Sequence, residues 1–85
     1  MAADGPLRLT LYSRKGCHLC DEMALELRAL KRAHSFVFDV VDVDASPELV
    51  GRYGDRVPVL AYGASELCHG RIQRAAVTAF LAQFR

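Results

Sequence analysis

A length of 85 residues makes one small domain the expectation. With 52% hydrophobic and 25% charged residues, the chain has enough apolar material for a packed core and is not composed like a disordered segment. A formal net charge of +1 supplies no global field for nucleic acid or an anionic membrane, so neither is expected as a partner. No stretch reaches the roughly 18 apolar residues of a membrane span, and the opening MAADGPLRL carries no basic region followed by an apolar run. A soluble, cytoplasmic monomer is expected.

Residues 1–6, ending in Asp4-Gly5-Pro6, read as a flexible lead-in to a single domain over 7–85. From Leu7 to Tyr12 the chain reads as a strand, with apolar and polar side chains alternating up to Leu11. Ser13-Arg14-Lys15-Gly16 follows as a loop. Cys20, Met23, Ala24, Leu27 and Leu30 then repeat at helical spacing, which predicts a helix of about four turns ending between Arg32 and Ser35. The run from Phe36 to Val41 is β-branched and aromatic and predicts a second strand. Asp39, Asp42 and Asp44 lie along its end, where a solvated acidic loop is a commoner role than a cation site.

Ser46-Pro47-Glu48 predicts a helix start, with Ser at the N-cap and Pro at the first helical position, and the helix should run to about Tyr53. Val57 to Tyr62 predicts a third strand with Pro58 near its beginning. Gly63-Ala64-Ser65 turns it into a short fourth strand from Glu66 to Cys68. From Arg71 on, Ile72, Ala76, Phe80 and Phe84 share one face of a terminal helix, with Val77 and Leu81 beside it. The order is βαβαββα, which predicts an α/β fold. Two parallel strands joined through a helix and an antiparallel hairpin would make a four-stranded mixed sheet with helices on both faces.

Three cysteines are too few for a disulfide framework, and a close pair suits redox or metal chemistry better. Cys17-His18-Leu19-Cys20 falls between a predicted strand and a predicted helix. A sulfur at a helix N-terminus meets unpaired N–H groups and the positive end of the dipole, which favour thiolate below the ordinary thiol value of about 8.5. Cys17 is therefore the predicted attacking thiolate, and Cys20, one turn on and shielded by the helix, its resolving partner. Arg14, Lys15 and His18 add cations around Cys17, whereas Asp21 and Glu22 are ordinary acids of a helix start. Val57-Pro58 opens a strand opposite the pair. A cis bond there would present the Val57 backbone to a substrate, and the residues alone leave cis and trans open.

The runs from Leu11 to Cys20 and from Arg56 to Val59 resemble the glutaredoxin branch of the thioredoxin superfamily, with Cys17-His18-Leu19-Cys20 in place of Cys-Pro-Tyr-Cys. The resemblance implies the thioredoxin/glutaredoxin fold, a cis-Pro58, and thiol–disulfide oxidoreductase activity on protein or glutathione mixed disulfides. It implies catalytic Cys17 and Cys20, with Tyr12, Arg14, Lys15, His18, Leu19, Arg56, Val57 and Pro58 around the substrate; Arg14 falls where a glutathione-binding Lys would stand. No permanently bound cofactor is implied. Glutathione would serve as co-substrate, or a thioredoxin reductase type reductant would supply electrons. The Gly-Gly-x-Asp segment before the last helix is replaced by Cys68-His69-Gly70-Arg71-Ile72.

Two readings of other classes stand beside this one. Cys17, Cys20, Cys68 and His69 would make a Cys₃His zinc set, but adjacent residues of a strand point to opposite faces, and Cys68 alone reads as a small buried hydrophobe. A non-catalytic binding module would keep the fold and present the Val57 edge to a partner protein.

Overall fold

The structure is a computed structural model and describes residues 7–83. The lead-in assigned to 1–6 and the helical position given to Phe84 lie outside those residues. The elements are β1 (Leu7–Ser13), α1 (His18–Leu30), β2 (Phe36–Asp42), a 3₁₀ turn (Val43–Ala45), α2 (Pro47–Tyr53), β3 (Val59–Tyr62), β4 (Ser65–His69) and α3 (Arg74–Leu81). They form one sheet of order β2-β1-β3-β4. β1 and β2 are parallel, while β3 runs antiparallel to both β1 and β4. The α/β expectation, a mixed four-stranded sheet with three helices, matches this architecture.

Alternation along β1 decides the two faces of the sheet. Leu9 and Leu11 point one way, Leu60 of β3 pairs with Leu11, and Cys68 of β4 pairs with Leu60, so these side chains share a face. They pack with Met23, Leu27 and Leu30 of α1, Phe36 of β2, and Val77 and Leu81 of α3 into one buried cluster. Each fully buried Leu or Val there contributes about 1.5–3 kcal/mol relative to exposure. Tyr12 has the opposite parity and stacks on Tyr53 of α2, with ring centroids 4.1 Å apart. α1 and α3 therefore cover one face and α2 the other.

Several boundaries differ from the sequence reading. β3 begins at Val59 rather than Val57, because Pro58 has no N–H for the ladder. The Val57–Pro58 bond is cis. β4 takes in Ser65 and His69 beyond the predicted limits. α3 starts at Arg74 rather than Arg71, since the Arg71 N–H is bonded to the His69 carbonyl in a turn that closes β4. The face assigned to α3 is also corrected: Val77 and Leu81 are the buried positions, Ala76 is exposed, and Ile72 and Phe80 only flank the core. Ser46 does occupy the N-cap of α2 with Pro47 behind it, but its side chain makes no cap hydrogen bond.

Candidate active site

The site is assembled by the end of β1. In the register Tyr12 pairs with Val59, so the loop leaving β1 and the segment entering β3 lie at the same end of the sheet. The first carries Cys17 and the second Val57 and Pro58. Gly16 takes a φ of +73°, a left-handed conformation open to glycine at no steric cost, and this turn delivers Cys17 to the head of α1.

Cys17 is the N-cap residue of α1, and its Sγ accepts a hydrogen bond of 3.1 Å from the Cys20 N–H. Cys17 is half-buried at the surface, whereas Cys20 is only 2% exposed and begins the buried stripe that continues through Met23, Leu27 and Leu30. The two are joined as a disulfide with Cα atoms 5.2 Å apart. The amphipathic spacing that makes α1 a helix is thus the same spacing that hides one sulfur and leaves the other at the rim.

The remaining predicted site residues divide into two groups. Lys15, His18 and Leu19 stand around the cysteines: Lys15 is exposed, and His18 is 85% exposed with its Nε2 2.8 Å from Glu22 Oε2. Leu19 walls a groove of about 170 Å³ with Glu22, Glu26, Gly70, Arg71 and Ile72. Pro58 is buried, and its carbonyl accepts a 2.8 Å bond from the Gly70 N–H, which ties the loop after β4 to the entry of β3.

Arg14, Tyr12 and Arg56 face the α2 side and are engaged by protein partners. Arg14 makes a bidentate contact with Asp44, Nη2 to Oδ1 at 2.7 Å and Nε to Oδ2 at 3.1 Å, and reaches the Gly54 carbonyl at 3.4 Å. That contact holds the Asp44 carboxyl below the usual carboxylate range and pushes the guanidinium up. Burial, and then the contact with Tyr53, push the Tyr12 phenol up. Arg56 pairs with Glu66, donates to the Arg52 carbonyl at 2.9 Å, and lies 5.8 Å from the Tyr53 ring centroid. The Glu66 carboxyl is held low first by Arg56 and also by His69, whose Nδ1 is 2.9 Å away.

The acids along the end of β2 divide their work among local partners. Asp39 pairs with Arg8 at 2.8 Å, Asp42 caps the 3₁₀ turn by accepting from the Asp44 N–H at 2.9 Å, and Asp44 takes Arg14. Cys68 sits in the core, where burial pushes its thiol up, and does not join Cys17 and Cys20. Among the described residues no group of His, Cys, Asp and Glu is placed to hold a metal ion, so the Cys₃His set is not assembled. Nor is any described helix long and apolar enough to cross a membrane. Arg52 was not singled out by the sequence reading. Its guanidinium lies 5.9 Å from the same Tyr53 ring as Arg56, and the only signal for it was a cation in the last turn of α2.

A mixed sheet in this order, with a Cys17–Cys20 disulfide at the head of the first helix and a cis-proline entering the third strand, defines a thioredoxin-like protein. The model of the glutaredoxin-like domain, DUF836, matches residues 8–82, and the chain belongs to that family. It is similar to protein Ne2328 from Nitrosomonas europaea, at 37% identity and a TM-score of 0.81, over 95% of this chain and 98% of that one. A second similar structure is protein XcR50 from X. campestris, at 36% identity and a TM-score of 0.66, over 91% of this chain and 99% of that one. No curated protein matches the chain.

Proposed function

We propose that the protein is a dithiol thiol–disulfide oxidoreductase, with Cys17 as the nucleophile and Cys20 as the resolving thiol. The observation that carries this reading is the Cys17 Sγ at the N-cap of α1, accepting the Cys20 N–H, with Cys20 buried one turn deeper. In the reduced protein that N–H and the helix dipole favour a thiolate on Cys17, and the exposed Lys15 adds a cation nearby. Family membership supports the same chemistry.

The exchange runs in two displacements. The Cys17 thiolate attacks one sulfur of a substrate disulfide, a new sulfur–sulfur bond forms, and the other substrate sulfur leaves as thiolate and takes a proton from water. Cys20 then gives up its proton, attacks the Cys17 sulfur and expels the second substrate thiolate. The substrate gains two electrons and the protein becomes the Cys17–Cys20 disulfide. A thiol reductant, glutathione or a thioredoxin reductase type of donor, reduces that disulfide for the next cycle. Val57 and Pro58 lie where a substrate chain would run beside Cys17, with Leu19, Arg56 and His18 at its edges. The whole cycle takes place at the surface of a cytoplasmic monomer and needs no bound cofactor.

The test is a comparison of Cys17→Ser and Cys20→Ser with the unaltered protein on a model protein disulfide. Cys17→Ser should abolish reduction, and Cys20→Ser should accumulate a covalent mixed disulfide visible by mass spectrometry. Equal activity in all three proteins would refute the assignment of Cys17 and Cys20.

A further inference from the structure

We infer that Arg52 and Arg56 form a specificity pocket that selects polypeptide disulfides with an acidic side chain near the reacting cysteine, an inference that rests on the dithiol chemistry proposed above. Two observations carry it: the place of the pocket relative to Cys17, and its unbalanced charge. A hollow of about 270 Å³ is lined by Arg52, Tyr53, Arg56, Ala61, Ala64 and Glu66. Arg56 immediately precedes Val57, and the pairing of Tyr12 with Val59 puts this segment beside the loop that carries Cys17. A substrate chain advances about 3.3 Å per residue when extended, so a side chain only a few positions from its cysteine reaches the hollow.

The charge in the hollow is not balanced from within the protein. Both guanidinium carbons lie within 5.9 Å of the centroid of the same Tyr53 ring, so two cations border one hollow. Glu66 is the one carboxylate lining the hollow, and it is divided between Arg56 and His69. Arg52 forms no ion pair among the described residues. A second carboxylate entering beside Arg52 would complete the pairing.

On the α2 side, the other arginine near the site is already matched. Arg14 is held by Asp44 on two of its nitrogens, and Asp55 and Asp42 act on it as well. In the groove on the far side of the cysteines, Glu22 pairs with His18 and Glu26 with Arg74. Among Arg14, Arg52 and Arg56 on the α2 side, Arg52 is the one with no carboxylate partner among the described residues, and the side chain it attracts is an aspartate or glutamate of the substrate.

The experiment uses three synthetic peptides that differ only in one residue, Glu, Gln or Lys, placed two positions from a cysteine. Each is joined as a mixed disulfide to a chromophoric aromatic thiol. Pre-reduced protein is mixed with each peptide at low ionic strength, and release of the chromophore is followed in single turnover. The Glu peptide should react faster than the Lys peptide by about five-fold at sub-saturating concentration, a ratio of the size exposed ion pairs give. The ratio should appear in the half-saturation concentration and not in the limiting rate, and it should shrink as salt is added. Arg52→Gln should remove the preference and Arg52→Glu reverse it, a reciprocal change that loss of folding does not produce. Equal rates for the three peptides, or a uniform slowing by Arg52→Glu, would overturn the pocket while leaving the dithiol chemistry standing. Release from none of the peptides, or undiminished release by Cys17→Ser, would overturn both.

Discussion

Asp44, Glu66 and Cys68 show how single residues tie the fold to pH. The carboxyls of Asp44 and Glu66 are held low by Arg14 and Arg56, so their native values lie below those of the unfolded chain. The stabilisation they give is fully present above about pH 4 and is lost as pH falls through the lower native values. Asp44→Asn should therefore flatten part of the acid limb, measured as the urea midpoint between about pH 6 and pH 3. Cys68 has the opposite sense. Burial raises its native value, so its contribution is complete below the ordinary thiol value of about 8.5 and fades as pH rises through the native one. Cys68→Ala should cost about 1 kcal/mol at neutral pH and remove that alkaline slope in a denaturation series. Cys17 and Cys20 were legible from the sequence because their chemistry and spacing are local. The grip of Asp44 on Arg14 was not, because the partners lie 30 residues apart and nothing in either segment points to the other.

At the scale of elements, α1 and α2 each end in a position with a sharp consequence. Serine is a good N-cap, so Cys17→Ser should keep α1 within about 0.5 kcal/mol by thermal unfolding of the reduced protein even though turnover is lost. Gly54 closes α2, and a Cβ there would come 2.6 Å from the Val50 carbonyl oxygen, a backbone atom that cannot swing away. Gly54→Ala should thus displace the end of α2 and cost about 1–3 kcal/mol, read as a lowered urea midpoint. α2 was predicted nearly to the residue because Ser46-Pro47 and Gly54 punctuate it. α3 was misread because it has two apolar stripes one residue apart, Ile72-Ala76-Phe80 and Val77-Leu81. Only the packing against the sheet selects the second, and the turn at Gly70-Arg71 delays the start.

Across the whole molecule, one core under one face of the sheet carries the strands that bring Cys17 and Val57 together. Leu60 sits on β3 between β1 and β4 and is fully buried in that core. Leu60→Ala should cost about 2–5 kcal/mol and lower Tm by roughly 10–30 °C, a loss that calorimetry would register as a single cooperative transition. The parallel pair and the hairpin were legible, since a helix-linked crossover and a Gly63 turn each admit one sense of pairing. The sheet order and the cluster on the α2 side depend on contacts between distant segments, and no local pattern encodes them. The proposed chemistry requires the head of α1 to keep the Cys17 sulfur ionised in the reduced protein, and the pH dependence of alkylation by iodoacetamide, followed site by site by mass spectrometry, reads this directly. Cys17 should be modified far faster than Cys20 or Cys68 and should keep its rate down to a pH below the ordinary thiol value of about 8.5. A Cys17 rate that follows that of free cysteine at every pH would rule out an ionised Cys17 held by the helix.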